Sequence, residues 1–249
     1  MLTTLRAALP GRGADLPSDT LTRTVRIDAG HLASYAHVCG FTLSDRLPPT
    51  YPHVLAFPLH MELLAHAPFS AVGVVHIANR IVQHRPLALG EELELRVSAG
   101  PLEPHHRGRT FDFISEAYVD GELVWEDYST NLKKGGGSGE KEARAFEAPP
   151  VTAHWQLPDD LGRRYAAVSG DHNPIHLHGL AAKAFGFPRA IAHGMWTKAR
   201  CLASLRLPDA FEVEARFKKP VLLPSRVTFG EADGRFAVHG HLEGSLRNP

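Results

Sequence analysis

The feature that most limits what this chain can fold into is an internal repeat. Val25 to Gly40 lies against Trp155 to Gly170 at a constant offset of 130, matching Tyr35 with Tyr165, Ala36 with Ala166, Val38 with Val168 and Gly40 with Gly170. A second block, His84 to Leu93 against Lys218 to Val227, follows at offset 134 and aligns Pro86 with Pro220. One short match arises by chance; two in the same order at nearly one offset imply a duplicated unit. Between the copies, the stretch from Lys133 to Glu142 reads Lys-Lys-Gly-Gly-Gly-Ser-Gly-Glu-Lys-Glu and has no apolar periodicity, the composition of a flexible linker. The expected organisation is a first unit over residues 21–132, a linker over 133–150 and a second unit over 151–249.

Both units spell the same order of elements. Each opens with a short strand leading into a helix. Asp28 is placed to cap the first helix and Pro158 to begin its counterpart, with Gly40 and Gly170 at the stops. An apolar helix follows, expected over Pro58–His66 in the first unit and Gly194–Leu205 in the second. Strands then dominate. Phe211, Val213, Ala215 and Phe217 alternate with Glu212, Glu214 and Arg216, the period of a half-buried strand. Val119-Asp-Gly-Glu122 and Ala232-Asp-Gly-Arg235 read as hairpin turns. A helix followed by antiparallel strands predicts an α+β unit whose sheet wraps one central helix. Two such units pairing edge to edge would cover otherwise open strands.

Composition narrows the function classes. The 249 residues carry 27 Lys+Arg against 27 Asp+Glu, so the chain has no general attraction for nucleic acid or an anionic membrane. Any anionic ligand must be held by a local cluster of charge. Purely apolar stretches such as Ala71 to Val75 fall far short of the ~18 residues of a membrane helix. Cys39 and Cys201 lie far apart, which excludes a disulfide framework and a cysteine zinc site. That usage suits a reducing compartment. Met1 to Asp15 is basic but lacks the apolar core of a secretory signal, so the expected location is cytoplasmic.

The stretch that carries chemistry is Arg164-Tyr-Ala-Ala-Val-Ser-Gly-Asp171-His-Asn-Pro-Ile-His176-Leu-His. Asn173-Pro174 is an N-cap followed by proline at the first helical position, so a helix should begin there with His176 at its third position. The Asn173 side chain is placed to accept from the N–H of Ile175 or His176. Asp171 stands just outside the cap, on the turn after Gly170. A carboxylate and an imidazole thus meet at one helix mouth, close enough to share a water molecule. In the first unit Phe41 occupies the position of Asp171 and no Asn-Pro-x-His follows. The scaffold residues recur and the ionisable pair does not, which indicates one site per chain.

Tyr165-Ala-x-x-Ser-Gly-Asp-x-Asn-Pro-Ile-His176, followed by Phe185-Gly-Phe-Pro-x-x-Ile-Ala-His-Gly194-Met, resembles the MaoC-like family of (R)-specific enoyl-CoA hydratases and (R)-3-hydroxyacyl-thioester dehydratases. The resemblance extends through Arg216-Phe-Lys-Lys-Pro-Val, and the duplication is similar to the family's double-hotdog members. It implies two tandem hotdog repeats, the first without the catalytic motif and serving the acyl chain. It also implies a catalytic dyad of Asp171 and His176 and a Gly194 N–H that binds the thioester oxygen. The substrate would be an acyl-CoA or acyl-carrier-protein thioester, with no cofactor.

Hydrating a 2-enoyl thioester places hydroxide on C3 and a proton on C2 through an enolate-like transition state. One group must take a proton and one deliver it, and a donor must face the oxyanion. Gly194 opens a predicted helix, where free N–H groups and the positive dipole end converge. The sequence does not divide acid and base roles between Asp171 and His176. His193 is expected to pack or hydrogen-bond beside this mouth. His172, His178, His105-His106 and His239-x-His241 form no metal-ligand spacing, so no metal is expected. Arg80, Arg85, Arg216, Lys218 and Lys219 are candidates for a CoA phosphate, and Met61, Leu63, Leu64 and Phe69 fit ordinary core. The rival readings are an acyl-thioester hydrolase and a non-catalytic acyl-thioester-binding protein. The repeat predicts a pseudo-dimer within one chain and leaves a homodimer of the whole chain open.

Overall fold

The computed structural model describes residues 15–138 and 145–249. The basic N-terminal stretch up to Ala14, and residues 139–144 of the expected linker, lie outside the described residues.

β1 (Leu21–Arg26) leads into α1 (Ala29–Cys39) and then α2 (Tyr51–Ala65). β2 (Val74–Gln83), β3 (Glu92–Ala99), the short β4 (Glu103–His105), β5 (Gly108–Val119) and β6 (Glu122–Lys134) follow. β7 (Val151–Leu157) begins the same order again with α3 (Leu161–Ser169), α4 (Pro174–Leu177), α5 (Gly179–Ala184) and α6 (Gly194–Leu202). β8 (Phe211–Phe217), β9 (Ser225–Ala232), β10 (Arg235–Val238) and β11 (Leu242–Arg247) complete the chain.

The strands form one antiparallel sheet in the order β1-β3-β5-β6-β2-β8-β11-β10-β9-β7, with β4 attached to β5. Read inward from either edge, the order is the same when β7 stands for β1, β9 for β3, β10 for β5, β11 for β6 and β8 for β2. β2 and β8 meet in the middle, with Ile81 opposite Val213 and Asn79 opposite Ala215. Each would otherwise present an open row of backbone groups. The predicted alternation of β8 holds: Phe211, Val213 and Ala215 are fully buried. Both predicted hairpins are present, with Asp120–Gly121 and Asp233–Gly234 all at positive φ, the conformation a two-residue turn of this hand requires.

The long helix α2 and its shorter counterpart α6 supply the apolar surfaces around which the sheet curls, a hotdog arrangement. Leu59 and Leu63 of α2 and Met195, Ala199 and Leu202 of α6 are buried in the same core as Leu95, Phe111, Val213 and Phe236 from the strands. α1 and α3 pack against each other, and the repeat-matched Tyr35 and Tyr165 face one another with ring centroids 6.2 Å apart.

Helix ends follow the local chemistry with two corrections. Asp28 caps α1 through the His31 N–H at 2.7 Å, and Gly40 and Gly170 close α1 and α3 in the left-handed conformation. α3 starts at Leu161 rather than at Pro158, with Asp160 at the cap position. α2 starts at Tyr51, not at the expected Pro58, which lies inside it. Proline inside a helix normally forfeits a backbone bond. Pro58 is tolerated because its ring faces outward while the opposite side is buried. Among the expected core residues, Met61 is exposed on this same helix. β6 continues to Lys134, so the first two residues of the expected linker are strand.

Candidate active site

α3, α4 and the segment entering α6 build the site. Gly170 turns the chain out of α3 and releases Asp171 onto a short loop. The Asp171 carboxylate accepts from the Asn173 N–H at 3.1 Å, and its own N–H donates to Ser169 Oγ. Asn173 then caps α4 by accepting from the Ile175 N–H at 3.3 Å, the expected geometry. His176 follows on the buried face of this short helix while His178 is exposed. α4 sits tight against α3 because residue 162 is glycine: a Cβ there would stand 1.9 Å from the His176 carbonyl oxygen.

His176 Nδ1 lies 2.8 Å from the Ile191 carbonyl oxygen. A carbonyl only accepts, so Nδ1 carries the proton and Nε2 of the neutral ring is a lone pair. Burial holds the His176 pKa below its ordinary value, although the Asp171 charge pulls the other way. The imidazole is therefore a neutral base at pH 7.

His193, at the cap position of α6, braces this pair. Its ring stacks on His176 at 3.7 Å between centroids, and Nε2 donates to the Asp171 carbonyl oxygen at 3.0 Å. Burial and the neighbouring His176 push its pKa down to about 3. Its Nδ1 is buried and has no hydrogen-bond partner. One carboxylate oxygen of Asp171 and one ring nitrogen each of His176 and His193 all lie within 4.8 Å of one another. That spacing suits a single water, since two hydrogen bonds end to end span roughly 5.5 Å. It would also admit a cation, a grouping that the linear spacing of the histidines did not predict.

Gly194 is the first residue of α6, so its N–H falls outside the intrahelical ladder. A Cβ there would approach the Phe217 ring at 3.1 Å, which explains glycine by close approach. A Cβ on Gly170 would meet Phe57 of α2 at 4.0 Å. Phe57 of α2 and Phe217 of β8 therefore flank the mouth, one from each half of the chain.

Behind them lies a buried polar network that the sequence did not announce. His53 Nδ1 donates to Asp127 at 2.9 Å, and Ser129 Oγ donates to the same carboxylate. Asn79 bridges Asp127 to Lys198 of α6, whose ammonium also donates to the Asn79 and Val213 carbonyls at 3.1 and 3.3 Å. Lys198 and Asp127 are both fully buried. Burial drives the Lys198 pKa down to about 7, and it drives those of His60 and His76 down to about 3. Burial alone would raise the Asp127 carboxyl, but the His53 ring hydrogen-bonded to it and the nearby His60 and Lys198 hold it low. The signal in sequence was one lysine inside the otherwise apolar face of Gly194-Met-Trp-Thr-Lys-Ala-Arg-Cys-Leu202.

Of the basic candidates, Arg80 reaches Glu212, Arg85 pairs with Glu91, Arg216 with Glu214 and Lys218 with Glu243. Lys219 has no carboxylate at ion-pair distance among the described residues.

Comparison with known proteins shows the family. Residues 140–233 match the model of the MaoC like domain. The whole chain is 39% identical to the 3-hydroxyacyl-thioester dehydratase X of Mycobacterium tuberculosis, over 91% of that protein. This chain belongs to the MaoC-like dehydratase family. The crystal structure of HtdX from the same organism superposes with a TM-score of 0.81 at 37% identity, covering 93% of this chain and all of that one. A further relative is the peroxisomal enoyl-CoA hydratase 2 of Arabidopsis thaliana, 25% identical over 50% of this chain and 46% of that protein. Membership in this family makes the chain a hydro-lyase with a hotdog fold.

Proposed function

We propose that this protein reversibly hydrates trans-2-enoyl thioesters to (R)-3-hydroxyacyl thioesters, with dehydration as the reverse reaction. The observation that carries this reading is the convergence of Asp171 and His176 within 4.8 Å at a mouth that also presents the start of α6. The substrate is an acyl thioester of CoA or acyl-carrier protein. The chain acts as a pseudo-dimer of two hotdog repeats, residues 21–132 and 151–249 joined by 133–150, and only the second carries the dyad. The mirrored strand order supports that division. Two buried free thiols, Cys39 and Cys201, fit a cytoplasmic enzyme.

In the proposed reaction a water sits between the Asp171 carboxylate and His176 Nε2. The imidazole removes a proton as oxygen bonds to C3, and the π electrons move toward the thioester oxygen. The Gly194 N–H meets that developing charge, a contribution of about 10²–10³ in rate for one aimed donor. The imidazolium, stabilised by Asp171, returns a proton to C2, so one water is added across the double bond. His193 is a supporting residue and Asn173 sets the direction of α4.

The test is hydration of enoyl-CoA with chiral analysis of the product. Asp171→Asn and His176→Ala should each lower turnover about 10²–10⁴-fold while the fold is retained. The (S) isomer, or near-normal turnover in either variant, would refute the assignment. Release of free thiol from enoyl-CoA would instead indicate a hydrolase.

A further inference from the structure

α6 is short, nine residues from Gly194 to Leu202, and few directional contacts hold it in place. His193, at its cap position, makes no side-chain cap hydrogen bond. Its apolar face is buried, but apolar attraction is non-directional and would let a helix slide or turn. Among the described residues, two of its side chains hydrogen-bond beyond the helix and its cap. Trp196 Nε1 donates to the Val38 carbonyl at 2.9 Å. The other is Lys198, which is fully buried. Its ammonium donates to the Asn79 carbonyl at 3.1 Å, to the Asn79 side-chain oxygen and to the Val213 carbonyl at 3.3 Å. An ammonium has three N–H donors, and here each has an acceptor.

Those acceptors lie on the two central strands, Asn79 on β2 and Val213 on β8. The Asn79 amide is itself fixed. Its nitrogen donates to the Asp127 carboxylate and to Ser129 Oγ at 3.0 Å, which leaves its oxygen toward the ammonium. His53 and Ser129 hold Asp127 in turn. Lys198 stands one turn beyond Gly194, about 6 Å along the same face of the helix. Phe217, whose ring limits the space beside Gly194, stands four residues beyond Val213 on β8. α6 is thus fastened to β8 at Lys198 and meets it again at Gly194. Well-packed apolar side chains often replace a buried ion pair at no loss of stability, so packing gives no reason for a lysine here. What apolar groups cannot supply is direction.

Resting on the proposed function, we propose that Lys198 is a positioning residue: anchored to Asn79 and Val213, it fixes the height and rotation of α6 and so aims the Gly194 N–H at the thioester oxygen. It acts through the helix rather than on the substrate. Without the anchor the N–H drifts from the oxyanion, and misplacement by about 1 Å costs roughly 10²-fold in rate.

The test uses Lys198→Met combined with Asp127→Asn, which removes both buried charges together so that neither is left unpaired. With crotonyl-CoA, kcat should fall about 10²-fold while KM changes by no more than about threefold. A second readout reports the donor itself. Butyryl-CoA, isotope-labelled at its carbonyl, has no double bond to hydrate, and an aimed N–H lowers its C=O stretching frequency on binding. The lowering seen in the infrared with the wild type should largely vanish in the double variant, although butyryl-CoA still binds. A packing role alone would leave that frequency unchanged in the folded enzyme. Wild-type kcat or an undiminished lowering in the folded double variant overturns the proposal. If that variant does not fold, Lys198→Gln, too short to reach all three acceptors, replaces it. Partial loss of both kcat and the lowering is then expected, and wild-type values overturn the proposal. Hydration by the wild type without any lowering overturns it too, because no aimed donor exists. If the wild type neither hydrates crotonyl-CoA nor shifts the bound carbonyl, the hydratase reading fails. A crystal structure of the variant then decides the anchor: the Gly194 nitrogen should move by about 1 Å, and an unmoved α6 overturns the proposal.

Discussion

Replacing Gly162 with alanine separates a local argument from a tertiary one. On helix propensity alone the change should stabilise α3 by up to about 1 kcal/mol. The structure predicts the opposite. The new Cβ would stand 1.9 Å from the His176 carbonyl oxygen and 2.9 Å from its carbonyl carbon. Relief to 3.0 Å requires α3 and α4 to separate by at least about 1.1 Å. Neither side of the contact is a flexible side chain, so backbone must move. Overpacking of this kind costs about 1–3 kcal/mol. The segment that must retreat carries the proposed catalytic imidazole of His176, and misplacement by about 1 Å costs roughly 10²-fold in rate. The expected outcome is a folded protein with a lowered melting temperature and kcat reduced about a hundredfold. Thermal unfolding and steady-state hydration of crotonyl-CoA measure both. Wild-type turnover in Gly162→Ala would show that the α3–α4 contact does not position His176.

Four further outcomes follow from the buried groups. Asp127→Asn removes the charge that faces His53 and, through Asn79, Lys198, and should cost about 3–5 kcal/mol in chemical denaturation at pH 7. An unaltered denaturation midpoint would contradict this. Folding holds Lys198 at about 7 against an ordinary 10.5, so between those values the unfolded chain binds the extra proton. Stability should therefore rise with pH across that window, and Lys198→Met should flatten the rise. His60, His76 and His193, held near 3, act in the same direction below pH 6.5, so stability should fall as the solution is acidified from there. A flat melting temperature from pH 6.5 to 4 would argue against those buried neutral rings. His193→Phe keeps the stacked ring but loses the N–H to the Asp171 carbonyl. The loss of one such hydrogen bond should lower kcat up to about tenfold, with partial recovery in His193→Gln. Equal activity in both variants would leave His193 a packing residue only.

The buried network also bears on how the halves cooperate. α6 carries both the candidate oxyanion glycine, Gly194, and Lys198, and the lysine is held by Asn79 on β2. The helix that presents the candidate donor is thus tied across the β2–β8 seam to the half that lacks the dyad.

Features encoded within a few residues were legible in sequence. Asp28, Gly40 and Gly170 at helix ends, Asn173 as a cap, and both Asp-Gly hairpins depend only on backbone groups one to four positions away. The candidate pair was legible for the same reason, because Asp171 and His176 are set by a single turn and cap. Pro58 misled because a helix tolerates proline where its exposed face is turned outward, and exposure is a property of the packed molecule. Gly162, His53 and Asp127 were silent, and Lys198 showed only as one lysine on an otherwise apolar helix face. Their roles arise from contacts between residues 14 to 119 positions apart, and such distances are set by how the sheet curls rather than by any local preference.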